Sequence, residues 1–132
     1  MSLQKIREHV SLAPLTTFEI GGSARYFVDV RTEQDIRDAV QWATDKGVTY
    51  IVLSGGSNVL VPDEGIDGLV IHIVGNLCGR ENGIVDSWTG TNLLFLINTM
   101  SAQGFGGWEK LAGIPGTLGG AVRGNAGAGY RR

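Results

Sequence analysis

The chain has 132 residues, enough for one domain that buries about two-thirds of its unfolded surface without staples. Only 18% of its residues are charged and its net charge is -2, which argues against a nucleic-acid or anionic-membrane surface, since those need clustered Lys and Arg. A lone cysteine, Cys78, excludes an internal disulfide and a cysteine-cluster metal site, and no apolar run approaches the roughly 20 residues of a bilayer span, so the composition predicts a soluble, cytoplasmic protein.

Residues 1–14 are polar and weakly patterned and read as a lead-in, with Met1-Ser2-Leu3 resembling a cloning leader. Leu15 to Ser23 starts extended and ends in the Gly21-Gly22 turn. Arg25-Tyr26-Phe27-Val28-Asp29-Val30 reads as a strand from its aromatic and β-branched content. Thr32 is a helix N-cap, with Glu33 and Asp35 in the first turn, Ile36, Ala39, Val40 and Ala43 at helical spacing, and Gly47 as the stop. Tyr50-Ile51-Val52-Leu53 has the length and branching of a buried strand, so residues 25–53 form a β-α-β unit.

The next stretch, Leu53-Ser54-Gly55-Gly56-Ser57-Asn58-Val59, leaves the backbone almost bare between that strand and an extended Val59-Leu60-Val61. Two readings stand side by side. Its N–H groups converge on an anion such as a phosphate oxygen, or it is an ordinary tight turn. Asp63, Glu64 and Asp67 lack the alternating oxygen ligands of a calcium loop and read as a solvated turn. Leu69 to Val74 is a strong strand carrying His72, read as a satisfied structural histidine, and Ile84 to Trp88 is a further strand. From Asn92, Leu93, Leu94, Leu96, Ile97 and Met100 mark a buried helix that stops near Gly104.

A second glycine cluster closes the chain: Gly113-Ile114-Pro115-Gly116-Thr117-Leu118-Gly119-Gly120-Ala121, then Gly124-Asn125-Ala126-Gly127-Ala128-Gly129. Pro115 fixes φ and the glycines remove side chains, so the segment is suited to lie flat on a large planar ligand. Two bare-backbone surfaces suggest a long ligand with a phosphate middle. Neither a G-x-x-x-x-G-K-[ST] loop nor a G-x-G-x-x-G turn opening a helix is present, and no Ser/His/Asp triad or cysteine–base pair appears. No residue is assigned a catalytic or metal-binding role. General acid–base groups are scarce where glycine is dense, so the chain reads as built to hold a cofactor.

Thr17-Phe18-Glu19-Ile20-Gly21-Gly22-Ser23-Ala24, Leu53 to Leu60, Ala112 to Ala121 and Gly124 to Ala128 occur in the order and spacing of one family. The chain resembles the bacterial UDP-N-acetylenolpyruvoylglucosamine reductases over nearly its whole length. The resemblance implies an α+β, FAD-binding fold of the vanillyl-alcohol-oxidase (PCMH) type over residues 15–132, as two small α/β subdomains, 15–61 and 66–132. Ser54, Gly55, Gly56, Ser57, Asn58 and Val59, following Leu53, would wrap the FAD diphosphate. Gly113, Ile114, Pro115, Gly116, Thr117, Gly119, Gly120, Ala121, Asn125, Ala126, Gly127 and Ala128 would line the ribityl chain and flavin ring. With no histidine or cysteine in those loops, the FAD is expected to be non-covalent.

The family reaction uses NADPH to reduce FAD, which reduces the enolpyruvyl double bond of a UDP-sugar in peptidoglycan synthesis. The family's substrate domain follows the point where this chain stops, so the isolated chain is expected to bind cofactor without turnover. Where the family continues with an aromatic residue, glycine, a small residue and glutamate, this chain reads Gly129-Tyr130-Arg131-Arg132, as in a truncated or altered product. A nucleotide-diphosphate module without redox chemistry, or a structural remnant of the same fold, are the alternatives. A bulky residue at Gly56 is expected to weaken FAD binding more than it destabilises the fold. Asn125 either hydrogen-bonds the flavin edge or merely closes a turn.

Overall fold

The computed structural model describes residues 6–129, so the Met1-Ser2-Leu3 leader and the Tyr130-Arg131-Arg132 end lie outside the described residues. The chain forms two compact units that divide between Val74 and Gly75. That division falls after the 66–73 strand, which the sequence reading placed in the second subdomain.

The first unit is a four-stranded sheet in the order β1-β2-β4-β3. Here β1 is Arg7–Ser11, β2 is Ser23–Val30, β3 is Tyr50–Leu53 and β4 is Ile66–Ile73. β1 pairs antiparallel to β2, while β2, β4 and β3 run parallel. The helix α1, Glu33–Lys46, joins β2 to β3. The β-α-β unit is therefore split: β4 sits between its two strands and pairs with both.

Each part follows from local chemistry. Thr32 Oγ1 accepts from the Asp35 N–H at 3.1 Å, and Asp35 Oδ2 accepts from the Thr32 N–H at 3.2 Å, a capping box. At the other end, Gly47 (φ 67°) takes the left-handed position that ends the helix. Its N–H donates to Thr44 O at 3.0 Å, and Val48 N–H to Ala43 O at 3.0 Å. Val28, Val30, Leu69 and Ile71 on one face of the sheet pack against Ala39 and Ala43 of α1. On the opposite face Phe27, Val70 and Leu53 pack against Leu12 and Val61. Ala24 joins this second group despite its even number, because the register slips between Ala24 and Tyr26 and reverses the alternation. A sheet buried on both faces explains the unbroken Leu69-Val70-Ile71 run.

Three expectations change here. The lead-in carries β1 and the fully buried Leu12. It reads as polar because an edge strand with one wet face has little apolar pattern. Tyr50-Ile51-Val52 is a strand but not a buried one, since it lies at the open edge of the sheet. Val59-Leu60-Val61 forms no ladder; Val61 is buried under the sheet and Leu60 is exposed. His72 is satisfied, its Nδ1 lying 2.7 Å from Asp29 Oδ1 on the neighbouring strand. Asp67 meets Arg25 at 3.0 Å, a hydrogen bond that raises the guanidinium above its ordinary pKa.

The second unit holds a hairpin of β5, Cys78–Glu81, and β6, Ile84–Ser87, then the helices α2, Leu93–Ser101, and α3, Leu118–Arg123. Asn82 and Gly83 both have positive φ (50° and 78°), the two-residue turn that matches strand twist. The sequence reading missed β5, although Asn-Gly between two short runs is the signal for such a hairpin. Asn92 caps α2, its Oδ1 accepting from the Phe95 N–H at 3.0 Å. Leu93, Leu96, Ile97 and Met100 are buried, whereas Leu94, expected inside, is exposed on the outer side of the helix. Buried Thr91 ties the unit together: its Oγ1 donates to Leu77 O at 3.0 Å and accepts from Leu77 N–H at 3.1 Å.

Candidate functional site

The first candidate loop begins where β3 ends at buried Leu53. Ser54 Oγ donates to Ile73 O at 3.5 Å, which fastens the loop to β4. Gly56 is buried with φ 63°, and its carbonyl accepts from the Thr17 N–H at 3.1 Å. A Cβ at Gly56 would stand 2.0 Å from Leu15 O, inside the chain's own backbone. This changes the expectation for Gly56 on the side of the fold: a side chain there meets the 3-10 turn Ala13–Leu15, so the fold itself is expected to suffer. Gly21, Gly22 and Gly65 belong to the same close packing of 15–23 against 56–65; a Cβ at Gly22 would lie 2.4 Å from Asp63 O.

What the loop offers a ligand is its donors. Among the described residues, the amides of Gly55, Gly56 and Asn58 donate to no protein group. Ser57 is half-buried with partners of its own, Asn58 is exposed, and Val59 packs at the edge of the core. Several N–H groups left without a protein acceptor in one glycine turn are donors of the kind an anion satisfies.

The second cluster is not the flat segment expected. Gly113 ends the 3-10 turn Glu109–Gly113, and Ile114 N–H donates to Leu111 O at 2.9 Å. Pro115 leads to Gly116 (φ 97°), whose carbonyl accepts from Leu93 N–H at 3.0 Å. Thr117 then caps α3, its Oγ1 accepting from the Gly120 N–H at 3.3 Å. Leu118 N–H donates to Thr91 O and Gly119 N–H to Thr89 O, each at 2.8 Å. The first-turn donors of α3 are thus consumed inside the protein. Among the described residues, the first-turn donors of α3 are therefore not free for a phosphate, in contrast to the amides of Gly55, Gly56 and Asn58. In the turn before α3, the Glu109 carboxylate accepts from its own N–H and from that of Gly107, which holds its pKa below the usual range.

α3 ends as the other helices do. Asn125 N–H donates to Val122 O at 3.1 Å and Ala126 N–H to Ala121 O at 2.9 Å, with Asn125 left-handed at φ 47°. Gly104 (φ 88°) holds the same place after α2. The turn-closing reading of Asn125 is therefore its backbone role. Asn125→Gly should leave the melting temperature of the unliganded chain unchanged or higher, while Asn125→Ala should cost about 1 kcal/mol, because Ala disfavours the left-handed region. Thermal melts of the two variants check it; equal melts would mean that this turn opens.

Ile114, Ala121, Asn125 and Ala126 share one mainly apolar cavity of about 310 Å³, walled by Leu93, Leu111, Leu118 and Val122. Gly113, Pro115, Gly116, Thr117, Gly119, Gly120, Gly127 and Ala128 do not line it. A wider hollow of about 780 Å³ follows the β5–β6 hairpin past Cys78, Arg80 and Trp88, with none of the candidate residues in its wall. Volume alone favours the hollow. Convergence of the candidate residues favours the smaller cavity, because the hollow is the open side of a lone hairpin. Among the described residues no cluster of His, Cys, Asp or Glu fits a metal ion, and no helix is long and apolar enough to cross a membrane.

The chain is thus α+β, with a glycine loop that has unpaired amides in its first unit and, taken by itself, an apolar cavity in its second. The chain belongs to the FAD binding domain family, whose pattern matches residues 24–132. Within that family it is similar to the FAD-binding portion of UDP-N-acetylenolpyruvoylglucosamine reductases. It is 39% identical over 127 residues to the reductase of that name from Synechococcus sp. (strain JA-3-3Ab), covering 94% of this chain and 40% of that one. The Myxococcus xanthus (strain DK1622) reductase is 42% identical over 122 residues, covering 88% and 39%. The crystal structure of UDP-N-acetylenolpyruvylglucosamine reductase from Thermus caldophilus superposes with a TM-score of 0.72 at 35% identity, covering 96% of this chain and 44% of that one. The chain therefore spans about two-fifths of the length of these relatives.

Proposed function

We propose that this chain is the FAD-holding portion of an NADPH-dependent reductase that acts on a UDP-N-acetylglucosamine enolpyruvyl ether, and that its FAD is non-covalent. The observation that carries the reading is the set of amides at Gly55, Gly56 and Asn58 with no acceptor among the described residues. A dianionic diphosphate satisfies several such donors at once, without the lysine or arginine that this loop lacks. Ile114, Ala121, Asn125 and Ala126 would face the flavin, with Leu93 and Leu118 keeping water from it. When bound, FAD supplies the hydride chemistry; the chain's own residues bind, orient and exclude solvent.

Titration of the purified chain with FAD, riboflavin and ADP tests this. FAD should bind far more tightly than riboflavin, and heat should release it unchanged. Equal affinity for ADP and FAD would instead mean a nucleotide-diphosphate module to which the ring contributes nothing. Asn58→Asp places a negative charge at the mouth of the loop on an exposed residue. It should weaken FAD about tenfold, roughly 1.4 kcal/mol, without moving the melt or the riboflavin affinity. An unchanged FAD affinity would put the diphosphate elsewhere.

No residue of this chain is assigned to substrate protonation or carboxylate binding. NADPH oxidation that depends on the enolpyruvyl sugar should therefore be absent from the isolated chain, and a steady-state assay on a clean preparation checks it.

A further inference from the structure

The two edges of the first unit's sheet are defended unequally. β1 carries Arg7, Glu8 and His9, and the positive φ of His9 (52°) interrupts its ladder between Glu8 and Val10. Charge and irregularity of this kind keep strand edges from pairing with other chains. β3 has neither protection. From Gly47 to Val61 the chain carries no charged side chain. Tyr50, Ile51 and Val52 are 47%, 39% and 54% exposed. Tyr50 and Val52 stand beside Leu69 and Ile71 on the α1 face, and Ile51 beside Val70 on the other, so both apolar layers of the sheet lie open here.

The backbone sets which groups are free. Leu69 N–H donates to Thr49 O at 2.9 Å, so Thr49, Ile51 and Leu53 turn their main-chain groups toward β4. Those of Tyr50 and Val52 turn outward.

We infer that β3 is a self-association edge, at which two copies of this chain pair antiparallel about a two-fold axis through Ile51. That register sets Tyr50 opposite Val52 of the second copy as a hydrogen-bonded pair, and Ile51 opposite Ile51. A second copy is favoured over a charged partner because an uncharged strand meets its own image without like-charge repulsion, and because the pairing satisfies both outward residues twice. Three half-exposed side chains per copy fall well short of the roughly 1,200 Å² that stable interfaces bury, so the pairing is weak and reversible. The inference does not depend on the cofactor reading.

Sedimentation of the intact chain should give a dimer at about 0.5 mM and a monomer at about 5 μM, the span expected for a dissociation constant near 0.1 mM. Val52→Lys, at an exposed position, should be monomeric at both concentrations with an unchanged melt. In a Cys78→Ser background, Ile51→Cys should oxidise to a cross-linked dimer at the high concentration, while Tyr50→Cys, which faces Val52 of the second copy, should not. A chain monomeric at both concentrations, with β3 edge amides exchanging freely, would leave this edge to some other polypeptide and overturn the inference. A dimer indifferent to Val52→Lys, or equal cross-linking at positions 50 and 51, would overturn it too.

Discussion

Gly56→Ala should leave little folded chain. Its left-handed φ of 63° costs alanine about 1 kcal/mol by itself. The larger part is steric. The added carbon would lie 2.0 Å from Leu15 O and 3.0 Å from Thr16 Cα, all backbone, so no rotamer relieves it. Relief requires parting the loop from the Ala13–Leu15 turn, which gives up the Thr17 N–H to Gly56 O bond and loosens Leu12 and Val61 beneath it. We expect a loss of more than about 4 kcal/mol, a large share of the 5–15 kcal/mol that holds a typical domain. Urea melts followed by circular dichroism measure it. A variant within about 1 kcal/mol of the parent would mean that the loop does not rest on that turn.

Gly119→Ala should be the most damaging methyl addition tested in the second unit, by about 1–3 kcal/mol. Its Cβ would lie 1.9 Å from Thr89 Oγ1, 3.1 Å from Thr89 Cβ and 3.0 Å from Thr89 O, the carbonyl to which Gly119 itself donates. Next to it, a Cβ at Gly120 meets only Thr117 Oγ1, at 3.4 Å. Gly120→Ala should therefore be neutral, or stabilising by up to about 1 kcal/mol through helix propensity. Thr89→Ala removes the tightest contact, so the Gly119→Ala/Thr89→Ala pair should recover much of the loss, a coupling that a double-mutant cycle isolates. Equal melts for the alanine variants at 119 and 120 would show that α3 does not pack on Thr89.

Both results bear on how glycine-rich motifs are read. In the first unit, Gly21, Gly22, Gly56 and Gly65 let one loop lie on another. In the second, Gly119 lets a helix lie on Thr89, while Gly116 (φ 97°) turns the chain into the helix cap at Thr117. A sequence shows that a backbone is bare; it does not show what approaches it. Ligand and neighbouring chain demand the same residue.

The sequence by itself determined whatever depends on neighbours a few residues apart. Thr32, Asp35 and Gly47 set both ends of α1, because a cap is closed within four residues of the helix it serves. The branched Leu69-Val70-Ile71 run marked a strand, and the four glycine motifs with their spacing marked the FAD-binding ancestry that the family match bears out. The Asn82-Gly83 turn is equally local, an Asn-Gly pair between two short runs. Only the tertiary structure decided the rest. β1 belongs to the sheet because β2 offers it a partner, although its own residues are too polar to announce a strand. β3 has the composition of a buried strand and lies at an edge, because β4, arriving later in the chain, takes the place between β2 and β3. The two glycine surfaces look alike in sequence and differ in which donors remain. Those of α3 are taken by Thr89, Thr91 and Thr117, while Gly55, Gly56 and Asn58 keep theirs. Where a backbone N–H points is settled by distant segments, so which donors remain unpaired could be read only once the chain was folded.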